Sequence, residues 1–404
     1  MNLKQLGILI VLVILIGAAG IVLHNRQSAS WTESNAEVGK KLLGDFPFND
    51  VTHISIQHAT NDVDLVKKDG LWRVGQRGDY PANFSQISEF LLKVRDLKIV
   101  QSEPASPTEL ARMDLTTGQG SNSATVVEFL GQSNQPIRTL LAGKKHLRKP
   151  SAPSQMGGDE GFPDGRFVKA GTNTSNVALI SDPLDNVNSG PEQWLNKDFI
   201  HVEKPKSIAA VFPVTTNSWK LTRATEAGEW TLADARSGEE LDSSKSSGVT
   251  SPFSSASFTD VLPQSKADQL GTNKPTILKI ETFDDFNYAF NIGAKTNDDY
   301  LVTLSITANF PPRPVGVNEK PEDKPKIDKI YNDAQQKLKD KFKQEQSFEN
   351  WTYLMPGWEV DPLLKPRSEL LAEKKEEPKP SSAQSSEKSA DTNEVKSVEP
   401  APVH

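Results

Sequence analysis

The chain has no cysteine. This excludes disulfides, thiolate metal sites, cysteine nucleophiles and a lipid-modified N-terminal cysteine, and leaves the redox compartment open. Histidine is scarce, with six in 404 residues. His24, His53, His58, His146, His201 and His404 include no pair at i, i+4 within a plausible helix. His53 and His58 in "HISIQH" are an odd number of residues apart and point to opposite strand faces, so no metal site is expected. A basic excess is also missing: 46 Lys and Arg stand against 53 Asp and Glu, a net charge of −7. Binding a nucleic-acid backbone needs the opposite balance, so no nucleic-acid partner is expected.

Catalytic signatures are missing too. There is no G-x-S-x-G elbow and no P-loop, and "GQGSNSATVVEF" and "GGDEGFPDG" lack the strand-to-helix context that phosphate cradling needs. Serine sits mostly in low-complexity runs without a base beside it. The pairs Asp284-Asp285 and Asp298-Asp299 fit no ion-loop spacing and read as hairpin turns. No catalytic residue, cofactor or metal ligand is expected.

One long apolar run is present. Leu6 to Leu23, "LGILIVLVILIGAAGIVL", carries no charge over 18 residues. As a helix it spans about 27 Å, close to a bilayer's hydrocarbon thickness. Its length favours an uncleaved anchor over a signal peptide, whose apolar region is shorter. Lys4 on one side and Arg26, Lys40 and Lys41 on the other do not decide orientation by charge. The short N-terminal arm suits a signal-anchor with an exported body: a single-pass inner-membrane protein facing the periplasm or exterior.

Beyond the anchor the chain repeats itself. In "DLVKKDGLWRV", Asp69-Gly70 between alternating runs is a strong hairpin signal, placing Leu65 opposite Val74 and Lys67 opposite Trp72. Val63, Leu65, Trp72 and Val74 then share one face, with the strand "ISI" (Ile54 to Ile56) beside them. A helix follows, with Asn83 and Gln86 as a capping box and Phe84, Ile87, Phe90, Leu91, Val94 and Leu97 as its apolar stripe. About 155 residues later "SWKLTRATEAGEWTL" repeats the hairpin, turning at Ala227-Gly228, before a helix that Gly248 and Pro252 should keep short or broken. "IRTLLAGKK" matches "YAFNIGAKT" with Gly143 and Gly293 in register, and "VALISDPLDNV…WLNKDFI" matches "WTYLMPGWEVDPLLKPRSELL". The expected fold is α+β: two tandem modules of mostly antiparallel sheet with covering helices, behind a transmembrane helix and before a disordered tail. The divisions are 1–30 anchor, 44–200 first copy, 201–372 second copy and 373–404 tail.

Two differences between the copies supply the candidate interaction residues, since insertions collect in exposed loops. The first copy carries a basic loop with Lys144, Lys145, His146, Arg148 and Lys149, to which Arg166 returns if the loop folds back. It reads either as a docking surface for anionic headgroups, an acidic partner or an acidic glycan, or as a solvated loop. The second copy inserts a charged helix at 326–346 with a narrow stripe of Ile327, Ile330, Tyr331, Ala334, Leu338 and Phe342, suited to its own domain or to a partner groove. Trp72, Trp194, Trp219, Trp230, Trp351 and Trp358 read as packing residues rather than a sugar platform.

The anchor, "LVKKDGLWRV" with its helix, "LLAGKKHLRKP…GGDEGFPDGRF" and "KPEDK…WTYLMPGWEVDPLLKPRSELL" together resemble the bacterial DUF4340 family, over roughly residues 1 to 372. That family has no assigned function. Its members are often encoded beside components of an ABC-type transporter similar to the gliding-motility system. The resemblance therefore implies a non-enzymatic envelope scaffold or accessory subunit, with transporter components as partners. A module binding envelope glycan or peptidoglycan is the alternative, and a hydrolase with a site assembled only in three dimensions is a third reading.

Overall fold

The structure, a computed structural model, describes residues 37–148, 161–171, 176–263, 274–314 and 319–373. The apolar run from Leu6 to Leu23, Lys149 and the tail from residue 374 lie outside them. Among the described residues no helix is long and apolar enough to cross a membrane.

The first half contains β1 (His53–His58), β2 (Asn61–Lys68), β3 (Leu71–Val74), β4 (Tyr80–Pro81), α1 (Phe84–Asp96), β5 (Ile99–Pro104), α2 (Pro107–Arg112), β6 (Thr125–Leu130), β7 (Pro136–Arg148), β8 (Phe162–Ala170) and β9 (Asn176–Ile180). The second contains β10 (Pro205–Val211), β11 (Trp219–Thr222), β12 (Thr231–Leu232), α3 (Ser243–Ser246), β13 (Asp260–Leu262), β14 (Thr276–Thr282), β15 (Phe286–Thr296), β16 (Asp299–Ala308), α4 (Lys324–Gln346), β17 (Thr352–Pro356) and α5 (Gly357–Val360). They form two antiparallel sheets, ordered β4-β3-β2-β1-β6-β7-β8-β9-β5 and β12-β11-β10-β14-β15-β16-β17-β13. Apart from the short β4, the connectivity is the same in both.

Local chemistry explains the elements. Asp69 and Gly70 both take positive φ, as a two-residue hairpin turn requires, and Leu65 pairs with Val74 and Lys67 with Trp72. Val63, Leu65, Trp72 and Val74 are buried, and Ile54 and Ile56 of β1 pair with Leu65 and Val63. α1 begins where the Asn83 carboxamide accepts from the Gln86 N–H at 3.1 Å. The expected capping box is only half formed, because the Asn83 N–H donates to the Trp194 carbonyl instead. Ile87, Phe90, Leu91, Val94 and Leu97 are buried, whereas Phe84 is 66% exposed. The buried stripe therefore begins at Ile87, three residues later than its spacing suggests. In the second half the corresponding helix is four residues long and runs into a 3-10 turn.

The long hairpins share a further feature. Register slips between Ala142 and Lys145 in the first, and between Ile292 and Lys295 in the second, so Gly143 and Gly293 sit at matching bulges. Gly143 is obligatory there, because a Cβ would stand 2.2 Å from the Met113 carbonyl. The lysine after each bulge meets an aspartate beyond the following central strand: Lys145 pairs with Asp185, and Lys295 with Asp361 at 3.0 Å.

The sheets share one hydrophobic core. Tyr80 of β4 packs edge-on against Phe258 (5.8 Å), Trp351 (5.0 Å) and Tyr353 (6.3 Å), and Phe199 joins Phe258, Phe348 and Tyr353. Across this seam Arg77 donates to both Asp260 carboxylate oxygens, at 2.7 and 2.8 Å. Both side chains are mostly shielded from water, so removing Arg77 strands a partly buried carboxylate, and removing Asp260 leaves Arg77 only the more distant Glu192, at 3.7 Å. Asp260→Ala and Arg77→Met are each expected to cost about 2 kcal/mol in urea unfolding, with the double variant less destabilised than their sum. Strict additivity would show that the pair contributes no coupling.

Candidate functional site

The basic candidates lie on strands rather than in a loop. Lys144, Lys145, His146 and Arg148 continue β7, and Arg166 returns opposite Lys145 on β8, so the expected neighbourhood forms as a ladder. Alternating polar residues with Leu147 among them can extend a hairpin as readily as form a loop. Part of the cluster is paired at the surface by the chain's own aspartates. Lys145 is held by Asp185, and His146 Nδ1 lies 2.6 Å from Asp164 Oδ1. Arg166 donates to the carbonyls of Gly143 (2.8 Å) and Leu184 (3.2 Å), and burial lowers its pKa. Lys144 and Arg148 remain exposed. This arm runs two rungs, Leu147 to Pro163 and Arg148 to Phe162, past the point where the matching β15–β16 hairpin turns. It exposes Leu147 and, at 75%, Phe162.

The inserted helix is α4, starting two residues earlier than expected. Its stripe divides between two environments. Leu338 and Phe342 pack on the core, where Phe342 meets Phe310 and Phe286 at 5.8 and 6.1 Å. The Tyr331 hydroxyl donates to the Pro311 carbonyl at 2.8 Å. Ile327, Ile330 and Ala334 face solvent, Ile330 at 61%. The C-terminal half thus docks on its own sheet while the N-terminal half offers an uncovered shoulder.

Two clefts occupy matching positions, each between the third hairpin strand and the start of the following helix. The first, about 790 Å³, is lined by Leu71, Trp72, Phe84, Asn196 and Lys197 among others. The second, about 690 Å³, is lined by Glu229, Trp230, Glu240, Ser243, Ser247 and Thr250 among others. Because Leu221 pairs with Leu232, Trp230 holds the place that Trp72 holds in the first half. Sequence reading missed the clefts: it placed Phe84 in a buried stripe, and Trp230, which does pack on the core as expected, also lines the second cleft. The signal was the capping Asn83, which starts α1 at Phe84 and leaves that residue no preceding turn to pack against.

Of the remaining tryptophans, Trp194 and Trp219 are buried, but Trp358 is 72% exposed at the start of α5, against the packing role expected for it. Asp284-Asp285 and Asp298-Asp299 fall at the β14–β15 and β15–β16 turns. His53 binds Asp64 (2.9 Å) and Asn134 (3.1 Å). Among the described residues no group of three or more His, Asp or Glu is placed to hold a metal ion.

Glu345, in the last turn of α4, is a buried acid, only 4% exposed. It accepts from the Tyr288 hydroxyl at 2.7 Å and the His201 N–H at 3.2 Å, with Lys341 at 3.9 Å. Burial raises its pKa above the usual carboxylate value, with Glu203 adding to the effect. The folded protein therefore binds the proton more tightly than the unfolded chain, and stability falls as pH rises from the ordinary carboxylate pKa through the raised one. Glu345→Gln is expected to remove this component, so its stability relative to wild type improves with rising pH in denaturant titrations. Identical pH slopes for the two proteins would contradict the assignment.

Comparison with known proteins gives one match. No curated protein and no solved structure matches the chain. The family described as a domain of unknown function, DUF4340, matches residues 72–275, half of the chain. The matched stretch runs from Trp72 in β3 across the seam to the residue before β14, and so contains Arg77, Tyr80, Phe258 and Asp260. The chain belongs to the DUF4340 family.

Proposed function

We propose that this protein is a non-enzymatic, membrane-anchored envelope protein, a scaffold or accessory subunit of an ABC-type, gliding-motility-like transport complex. Its body lies on the periplasmic or extracytoplasmic side of the inner membrane, and its two sheets are tandem copies of one module. The shared strand order, the matching bulges and the Lys145–Asp185 and Lys295–Asp361 pairs support the duplication.

One observation carries the reading. Among the described residues each half carries a large element that the other lacks, the extended β7–β8 arm in one and α4 in the other. Both additions place exposed apolar side chains next to basic ones: Leu147 and Phe162 beside Lys144 and Arg148, and Ile327 and Ile330 beside Lys326 and Lys329. Such surfaces suit protein contacts. The partner class follows from the family resemblance.

Affinity purification of the full-length protein from native membranes in mild detergent tests this reading. Transporter subunits should co-purify near stoichiometrically, and Phe162→Asp or Ile330→Asp should reduce their yield about tenfold while leaving thermal stability unchanged. Recovery of the protein alone, under conditions that preserve membrane complexes, would refute it.

A further inference from the structure

The matching clefts differ in chemistry, and the difference points to a ligand. A concavity in the same place on two sheets of common connectivity is a product of the fold rather than an accident of side-chain placement. In the first half it is apolar at its mouth, where Leu71 and Phe84 are 57% and 66% exposed. In the second half Glu229, Glu239, Glu240 and several serines and threonines join Trp230, Leu232 and Leu241 around the same space.

We propose that the cleft between β12 and α3 binds a saccharide, a neutral or amino sugar. This site is independent of the transport-complex reading. Its volume falls within the range of small-molecule sites. Trp230 is braced from outside: the Arg223 guanidinium lies 4.8 Å from its ring centre and is itself tied to the Pro205 carbonyl at 2.7 Å. A fixed, half-buried indole offers an apolar surface to the C–H faces of a sugar ring.

The polar lining sets the ligand's charge. Glu239 is occupied by Arg367, which donates to it at 2.7 Å. Glu229 and Glu240 have no ion-pair partner among the described residues. The cleft therefore repels phosphates and uronic acids while accepting charge-assisted hydrogen bonds from hydroxyl or amine groups. Asp242 caps α3, accepting from the Ser244 and Lys245 N–H groups at 2.9 and 3.2 Å. Along the same wall the Ser247 and Thr250 hydroxyls donate to the Ser244 and Ser247 carbonyls at 2.8 and 3.0 Å, which leaves their oxygens facing a ligand as acceptors. Unlike an extended basic peptide, a sugar ring combines hydroxyl or amine donors with an apolar C–H face, which matches this acceptor-rich wall beside the Trp230 indole.

The test is a titration of the full-length protein, in a detergent without a sugar headgroup, against soluble neutral, N-acetylated, amino and acidic oligosaccharides and an oligolysine control. Binding is followed by calorimetry and tryptophan fluorescence. A neutral or amino oligosaccharide is expected to bind saturably. Glu240→Gln, at an exposed position, should weaken binding about tenfold, and Trp230→Ala should do so at least as strongly. Leu71→Ala and Phe84→Ala in the other cleft should leave binding unchanged. The proposal is overturned if no oligosaccharide binds, if only acidic oligosaccharides or oligolysine bind, or if binding is indifferent to both Glu240→Gln and Trp230→Ala.

Discussion

The bidentate contact between Arg77 and Asp260 ties the molecule together. The two residues are 183 positions apart, one just before the edge strand β4 and the other on the edge strand β13. Both are mostly shielded from water, and apart from Glu192, 3.7 Å from Arg77, each relies on the other for its charge partner. Around them Lys197 donates to the Phe258 and Thr259 carbonyls at 3.3 and 2.8 Å, and its ammonium sits 4.5 Å from the Phe258 ring centre. Beneath lies the aromatic cluster of Tyr80, Phe199, Phe258 and Tyr353, each ring pair adding about 0.5–1.5 kcal/mol beyond its burial. The seam joins what would otherwise be two exposed sheet edges, an arrangement that also protects them from pairing with other chains.

Both sheets use the same hairpin device. Each long hairpin slips register at a glycine, Gly143 or Gly293, and at Gly143 the Met113 backbone closes on the strand. The charge pair after each bulge then ties the hairpin to Asp185, past β9, or to Asp361, past β17. The halves differ where the sheet does not constrain them. One extends its hairpin into an arm with Phe162 near its end, and the other inserts α4 between β16 and β17. The paired clefts follow the same rule, with a common backbone position and divergent lining.

Much of this architecture was legible in the sequence. Asp69-Gly70 fixed a hairpin register that holds residue for residue, because positive φ at both turn positions leaves the strands little choice. The Gly143 and Gly293 match pointed to equivalent strands. Other features depend on distant partners and left no local mark. Nothing near Arg77 announces Asp260. The basic cluster looked like a free loop because Asp164 and Asp185, which neutralise part of it, become neighbours only when β8 and β9 fold back. Phe84 fits the spacing of a buried stripe, yet it lines an open cleft with Leu71 and Trp72. Glu345 reads as one charge among many on α4 until Tyr288 and His201 close around it.

These constraints make the two halves mechanically one body, on which the arm, the α4 shoulder and the clefts are held in fixed relation. That shared core is the central claim, and differential scanning calorimetry of the full-length protein tests it most directly. A single transition whose calorimetric and van't Hoff enthalpies agree is predicted, because neither sheet can lose the seam and keep its core. Two resolved transitions, each with the enthalpy of one half, would show that the sheets fold independently and contradict the account.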